Sequence, residues 1–162
     1  RVLKQYDNVV FENGQGLLLD QRHVQYYDNT TPSNTGIANP HIIIEKYLPN
    51  ADVEVCYVTR TYMTKHGAGD FECECDKSEI NINIDDKTNI TNQYQGSIRY
   101  GHLDVGELMQ RIKEDIGDIA YEVSLAVTHV NEFKNEKLLN LTDINVKYLS
   151  YEETRKLFEK GA

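Results

Sequence analysis

The sequence predicts an α/β protein with a mainly parallel sheet flanked by helices. Three observations carry that expectation. Short apolar runs over 53–63, 123–130 and 144–149 have strand character. Helix caps head the stretches between and after them, so strands and helices alternate along the chain. Glycine turns punctuate the transitions.

Taken in order, Val9-Val10-Phe11 reads as a short buried strand entering the turn Asn13-Gly14-Gln15-Gly16. A polar loop follows over 28–39. Asn39 as N-cap and Pro40 at the first helical position predict a helix over 41–48. Residues 53–63 alternate apolar and polar and read as a strand running into a second turn, Gly67-Ala68-Gly69. From 71 to 95 the chain is polar, with Ile80, Ile82 and Ile84 suggesting a period-two strand. Asp104 and Glu107 form a capping box for a helix whose apolar face is Leu108, Ile112 and Ile116, and Gly117 stops it. Buried strands are expected at 123–130 and 144–149. Ser150 with Glu153 predicts a last helix ending before Gly161, and there is no internal repeat.

The 162 residues suit a single domain or a fragment of one, over 1–162. Lys and Arg number 17 against 26 Asp and Glu, a net charge of -9, which argues against a nucleic-acid partner. A small anion can still be held by a few local cations. The apolar runs fall short of the roughly 20 residues that span a bilayer, so no membrane partner is expected. Three cysteines, Cys56, Cys73 and Cys75, make no disulfide framework and fit a reducing, cytoplasmic location. The sequons at Asn29, Asn89 and Asn140 carry little weight without a secretory signal. The start at Arg1, without Met, suggests a trimmed piece of a longer protein. Cys73-x-Cys75 invites a metal, but no partner pair of Cys or His lies near it in sequence, and no metal site is expected. His23, His41 and His102 are scattered, and Asp85-Asp86 reads as a solvated turn.

The strongest local signal is Phe11-Glu12-Asn13-Gly14-Gln15-Gly16-Leu17-Leu18-Leu19-Asp20. Gly-x-Gly after a strand lets backbone N–H groups approach a ligand, and Gln15 offers both a donor and an acceptor. In isolation such a Gly-x-Gly is more often a tight turn between two elements, and Leu19 in place of a third Gly rules out the dinucleotide fingerprint. The segment resembles the purine-contacting stretch of adenylosuccinate synthetases. Thr31-Pro32-Ser33-Asn34-Thr35, the run from Thr61 to Phe71, the run from Arg99 to Asp104, and Thr128-His129-Val130-Asn131 resemble further family motifs in the family's order.

That resemblance implies part of an adenylosuccinate-synthetase-like P-loop-type fold and a C–N ligase of purine biosynthesis. Such enzymes join aspartate to a purine monophosphate, IMP, using GTP and magnesium. They transfer the γ-phosphoryl to the purine O6 before the amine displaces phosphate. By resemblance Gln15 contacts the purine, and Thr31 donates its hydroxyl to the 5′-phosphate. His66, Gly67 and Gly69 bring backbone against the nucleotide, Arg99 holds the aspartate carboxylate, and Thr128 and Asn131 face the GTP base. The implied partners are a purine monophosphate, aspartate or a similar amino acid, a nucleoside triphosphate, and a second copy in a homodimer when full length. The family's phosphate loop, catalytic Asp and catalytic His have no counterpart in this sequence. No catalytic residue is therefore assigned, and the fragment is expected to be inactive alone and to bind no cofactor tightly. Lys65 stands for a family Arg, one Arg remains in the aspartate loop, and Asn131 replaces the Asp that reads guanine. ATP could therefore replace GTP, and a non-catalytic nucleotide-binding or regulatory relative that has lost the aspartate site is the alternative.

Overall fold

The computed structural model describes residues 3–23, 30–86, 89–152 and 158–160. Its main sheet has β5 (Glu122–Thr128) between β1 (Glu54–Arg60) and β6 (Asn145–Ser150). β5 and β6 run parallel, with Ser124 opposite Asn145 and Val127 opposite Leu149. The N–H of Glu122 donates to Val53 and that of Thr61 to Thr128, so β1 and β5 advance in the same direction. Ser124, Leu125, Ala126 and Val127 are all buried, as befits a central parallel strand covered on both faces. β7 (Phe158–Lys160) then adds antiparallel to β6. The parallel sheet and accompanying helices bear out the α/β expectation.

Two compact units make up the chain. The first comprises 1–55 and 109–122 and has Ile37, Ile44 and Ile112 among its buried residues. Its helix α1 (Ala38–Tyr47) begins earlier than Asn39 and Pro40 suggest. The physical reason is tertiary: a carboxylate oxygen of Asp115 accepts the Ile37 N–H at 3.0 Å and takes over the capping role. Asn39 lies inside the helix, where its side-chain oxygen accepts from Asn34, and Pro40 sits in the first turn, where no N–H is needed. Val9-Val10-Phe11 forms no strand; it has no ladder partner, and Val10 is 88% exposed.

The second unit comprises 56–108 and 123–162. It holds a small antiparallel sheet in which β4 (Arg99–Gly101) lies between β2 (Met63–Lys65) and β3 (Glu74–Cys75). Tyr62, Ile80, Ile84 and Tyr100 form a buried cluster against which Cys75, Ile98 and Phe133 pack. The isoleucine alternation does not make a strand. Instead α2 (Lys77–Ile80) starts on an Asp76–Glu79 capping box, Ile80 and Ile84 turn inward, and Ile82 is left 63% exposed. The expected strand over 53–63 breaks after Arg60, and Met63 joins the small sheet instead. Asp104 caps α3 (Val105–Ile116) by accepting the Glu107 N–H at 3.0 Å, and Gly117 ends it at φ +54°. Ser150's expected partner Glu153 lies outside the described residues, but 158–160 are strand rather than the end of a helix. His23's side chain, Asp28 and Asn29 also lie outside the description.

Candidate functional site

Gln15 and Thr31 belong to one folded-back loop of the first unit. Its two arms are tied by Thr31 N–H to Leu19 O at 2.7 Å, Gln21 N–H to Ser33 O at 3.0 Å and the Thr35 hydroxyl to Gly16 O at 3.0 Å. Asp20 is fully buried at the centre and accepts from the Thr35 N–H, the Arg22 N–H and the Arg22 guanidinium. Burial pushes its carboxyl up, but these hydrogen bonds win and hold it at about 2. Arg22 also reaches Asp115 at 2.7 Å, and Asp115 in turn holds the start of α1. Gly36 lets this happen: a Cβ there would stand 2.0 Å from Asp115 Oδ1.

Gln15 rides at the tip of this braced loop, exposed and at φ +70°. A non-glycine residue pays roughly 1–2 kcal/mol for that left-handed conformation. Among the described residues the other non-glycine at positive φ is His129, at +61°, in the Thr128–Asn131 segment. Both strained positions therefore fall in motifs singled out by sequence.

In the second unit, β2–β4 pairing brings His66, Gly67, Gly69 and Arg99 together. Gly67 and Gly69 have φ of +80° and +90°, which the turn requires. Arg99 Nη1 donates to the carbonyls of both glycines, at 3.2 and 2.9 Å, while Lys65 donates to Asp70 O at 2.8 Å. Arg99 also makes a two-pronged ion pair with Glu74, which holds the Glu74 carboxyl below its usual range. His66 Nε2 lies 2.9 Å from Asn89 Oδ1 and so carries the proton, leaving Nδ1 a buried acceptor without a partner among the described residues.

At the end of β5, the Thr128 hydroxyl donates to Thr59 O at 3.1 Å and lies 2.9 Å from His129 Nδ1. Asn131 is exposed. Its neighbour Glu132 turns to the buried Tyr62, whose phenol donates to its carboxylate; burial, then that carboxylate, raises the phenol's pKa. A cleft of about 360 Å³ lined by Leu139, Ile144 and Leu149, among others, includes none of the sequence-predicted residues.

The adenylosuccinate synthetase family model matches residues 1–150. The chain belongs to the adenylosuccinate synthetase family. No curated protein and no solved structure matches it. Family membership assigns the chain a ligase-like role in purine biosynthesis, and GTP and Mg²⁺ are the family's general cofactors. The described residues of this adenylosuccinate synthetase relative do not fit the phosphates of the triphosphate or Mg²⁺. The Gly96–Gly101 stretch opens on a tight turn in which Asn92 and Gly96 exchange backbone hydrogen bonds, and His102-Leu103 follow it where a phosphate loop has Lys and a hydroxyl residue. No helix among the described residues is long and apolar enough to cross a membrane.

Sequence reasoning missed Arg22, Asp115 and Glu74. Asp115 had a readable signal, since it falls three residues after Ile112 and places an acid beside the apolar stripe of α3. Glu74 had none, because its partner lies 25 residues away.

Proposed function

We propose that this chain supplies purine, amino-acid and base-recognition residues to an adenylosuccinate-synthetase-like ligase. The ligase joins aspartate, or a similar amino acid, to a purine monophosphate such as IMP, driven by GTP or ATP hydrolysis. The observation that supports this best is the Gln15 loop, held in a strained, exposed conformation by Arg22 and the buried carboxylates of Asp20 and Asp115. Proteins retain such strain where it pre-organises a ligand contact.

In this reading Gln15 holds the purine by its amide and Thr31 gives its hydroxyl to the 5′-phosphate. His66, Gly67 and Gly69 present backbone groups to the nucleotide. Arg99 takes the amino acid's carboxylate after exchanging it for Glu74. Thr128 and Asn131 face the triphosphate's base. Guanine offers two donors where Asn131 has one accepting oxygen, whereas adenine's acceptor–donor pair matches the amide, so ATP is accepted. Glu132, one position on, is the carboxylate that would read guanine if the motif were aligned one residue later, but its hydrogen bond from Tyr62 favours Asn131 as the base reader. The triphosphate would supply the phosphoryl that turns the purine oxygen into a leaving group, and Mg²⁺ would neutralise the charge that develops. Thr128 and Asn131 would hold the base, and a phosphate loop in the longer protein would hold the phosphates and the metal, in a cytoplasmic homodimer.

The Arg99–Glu74 pair favours a second reading, a non-catalytic nucleotide-binding relative, because the cation meant for aspartate is already neutralised. The deciding assay follows phosphate release and amino-acid–nucleotide adduct formation from IMP, aspartate and ATP or GTP. It uses both the 162-residue chain and the protein that carries a phosphate loop. The ligase reading expects turnover only in the latter, with ATP serving at least as well as GTP and Asn131→Asp shifting preference to GTP. Nucleotide binding without adduct in either form would establish the second reading.

A further inference from the structure

Cys75, Glu79 and His102 come from the end of β3, from α2 and from the residue after β4. One ligand atom from each lies within 4.8 Å of the other two. We propose that these three side chains form a binding site for a thiophilic divalent cation, Zn²⁺ by the chemistry of the donors, with the fourth position open to water. The inference is independent of the ligase reading.

Local structure dictates the convergence. In the antiparallel β3–β4 pair Cys75 stands opposite Tyr100, so His102, two residues on, is its diagonal neighbour on the same face. The His102 N–H donates to Cys73 O at 2.9 Å and extends that pairing past the end of β4. α2 follows β3 at once. As the third residue of its capping box, Glu79 folds back so that Oε1 accepts the Asp76 N–H at 3.0 Å. Its other oxygen, Oε2, is left 3.5 Å from His102 Nε2. The His102 ring is braced against Phe133, with centroids 6.3 Å apart. Two of the three ligands are thus oriented by hydrogen bonds or ring contacts outside the donor set, the usual support of a metal site.

One thiolate, one imidazole and one carboxylate make a donor set suited to Zn²⁺, at about 2.3 Å for sulfur and about 2.0–2.2 Å for nitrogen and oxygen. Tetrahedral geometry on those bonds separates donor atoms by roughly 3.3–3.7 Å, so the present spacing need contract by only about 1 Å. Glu79 and His102 have side chains 56% and 51% exposed, free to make that adjustment and open to solvent for a fourth ligand. Binding releases the Cys75 thiol proton to solvent as the S–metal bond forms. The bound ion would clip the strand end, the capped turn and the residue after β4. The sequence hid this site because its third ligand stands 27 residues beyond Cys75.

The test uses the whole chain, stripped of metal by chelator, titrated with Co²⁺ as a spectroscopic probe and then with Zn²⁺. The expected result is one equivalent of Co²⁺ with thiolate-to-cobalt charge-transfer absorption, displaced by Zn²⁺. Cys56→Ser and Cys73→Ser keep that band. Cys75→Ser abolishes it, and His102→Gln and Glu79→Gln each weaken binding by at least about tenfold. The two exposed positions carry the test even if Cys75→Ser unfolds. No thiolate band in the parent chain, or undiminished binding in both His102→Gln and Glu79→Gln, would overturn the site.

Discussion

The guanidinium of Arg99 grips both carboxylate oxygens of Glu74, Nε to Oε1 at 2.8 Å and Nη2 to Oε2 at 2.5 Å. If Arg99 serves an amino-acid carboxylate, Glu74 competes with the substrate for it. In the protein carrying a phosphate loop, Glu74→Gln should then lower the amino-acid KM several-fold. Arg99→Leu should raise it by about tenfold to a hundredfold, the effect of one charge-assisted hydrogen bond. Steady-state kinetics with varied aspartate measures both. An unchanged KM in both variants would reduce Arg99 to a clasp on the Gly67–Gly69 turn.

Asp20 makes stability depend on acid. Its carboxyl titrates at about 2 in the folded chain, below the unfolded value of about 3.9. A lowered folded value contributes stability that is complete above the unfolded value and is lost as pH falls through the folded one. The window is therefore from about pH 5 down to about 2, and the contribution, discounted for the partly exposed Arg22, is about 1–2 kcal/mol. Thermal unfolding across that window should fall more steeply for the parent than for Asp20→Asn. Parallel curves would contradict the assignment.

Gly36 and Gly14 should respond in opposite ways to the same methyl group. At Gly36 an added Cβ would meet the Asp115 carboxylate at 2.0 Å, whereas at Gly14 nothing lies within 4 Å. Gly36→Ala should cost about 1–3 kcal/mol by urea unfolding, through strain and the displaced carboxylate. Gly14→Ala should stay within about 0.5 kcal/mol of the parent. Equal costs would mean that Asp115 moves aside freely.

Gln15 separates binding from stability. Gln15→Gly relieves the φ of +70° and should leave stability unchanged or raised by up to about 1 kcal/mol. The same change, like Thr31→Val, should weaken purine-monophosphate binding about fivefold or more through the lost hydrogen bond. Calorimetric titration with IMP, paired with thermal unfolding, reads both quantities. A variant that binds as the parent does would remove Gln15 from the purine contact.

The parallel core was legible because Val123, Leu125, Ala126 and Val127 make a compact apolar run and Ile144, Val146, Tyr148 and Leu149 mark its neighbour. Local rules failed where distant groups intervened. Asp115 displaced Asn39 as the cap of α1, and Val9-Val10-Phe11 had strand composition but no partner strand. For Ile80, Ile82 and Ile84 the wrong period was chosen, since Ile80 and Ile84 also stand four apart and Asp76-x-x-Glu79 already marked a helix start. Of the site, the motif order located the loops, but a sequence cannot say that Arg99 already has a carboxylate or that Asp20 is buried.

The short β7 has a role larger than its three residues suggest. It covers the outer side of β6, pairing Tyr148 with Lys160 and Ser150 with Phe158. The family match stops at residue 150, before β7. A chain cut there would leave the Val-Lys-Tyr-Leu run of β6 as a bare edge, with a row of free N–H and C=O groups. Such an edge recruits a second chain strand to strand, so a chain trimmed to the family boundary should self-associate where the longer one stays dispersed.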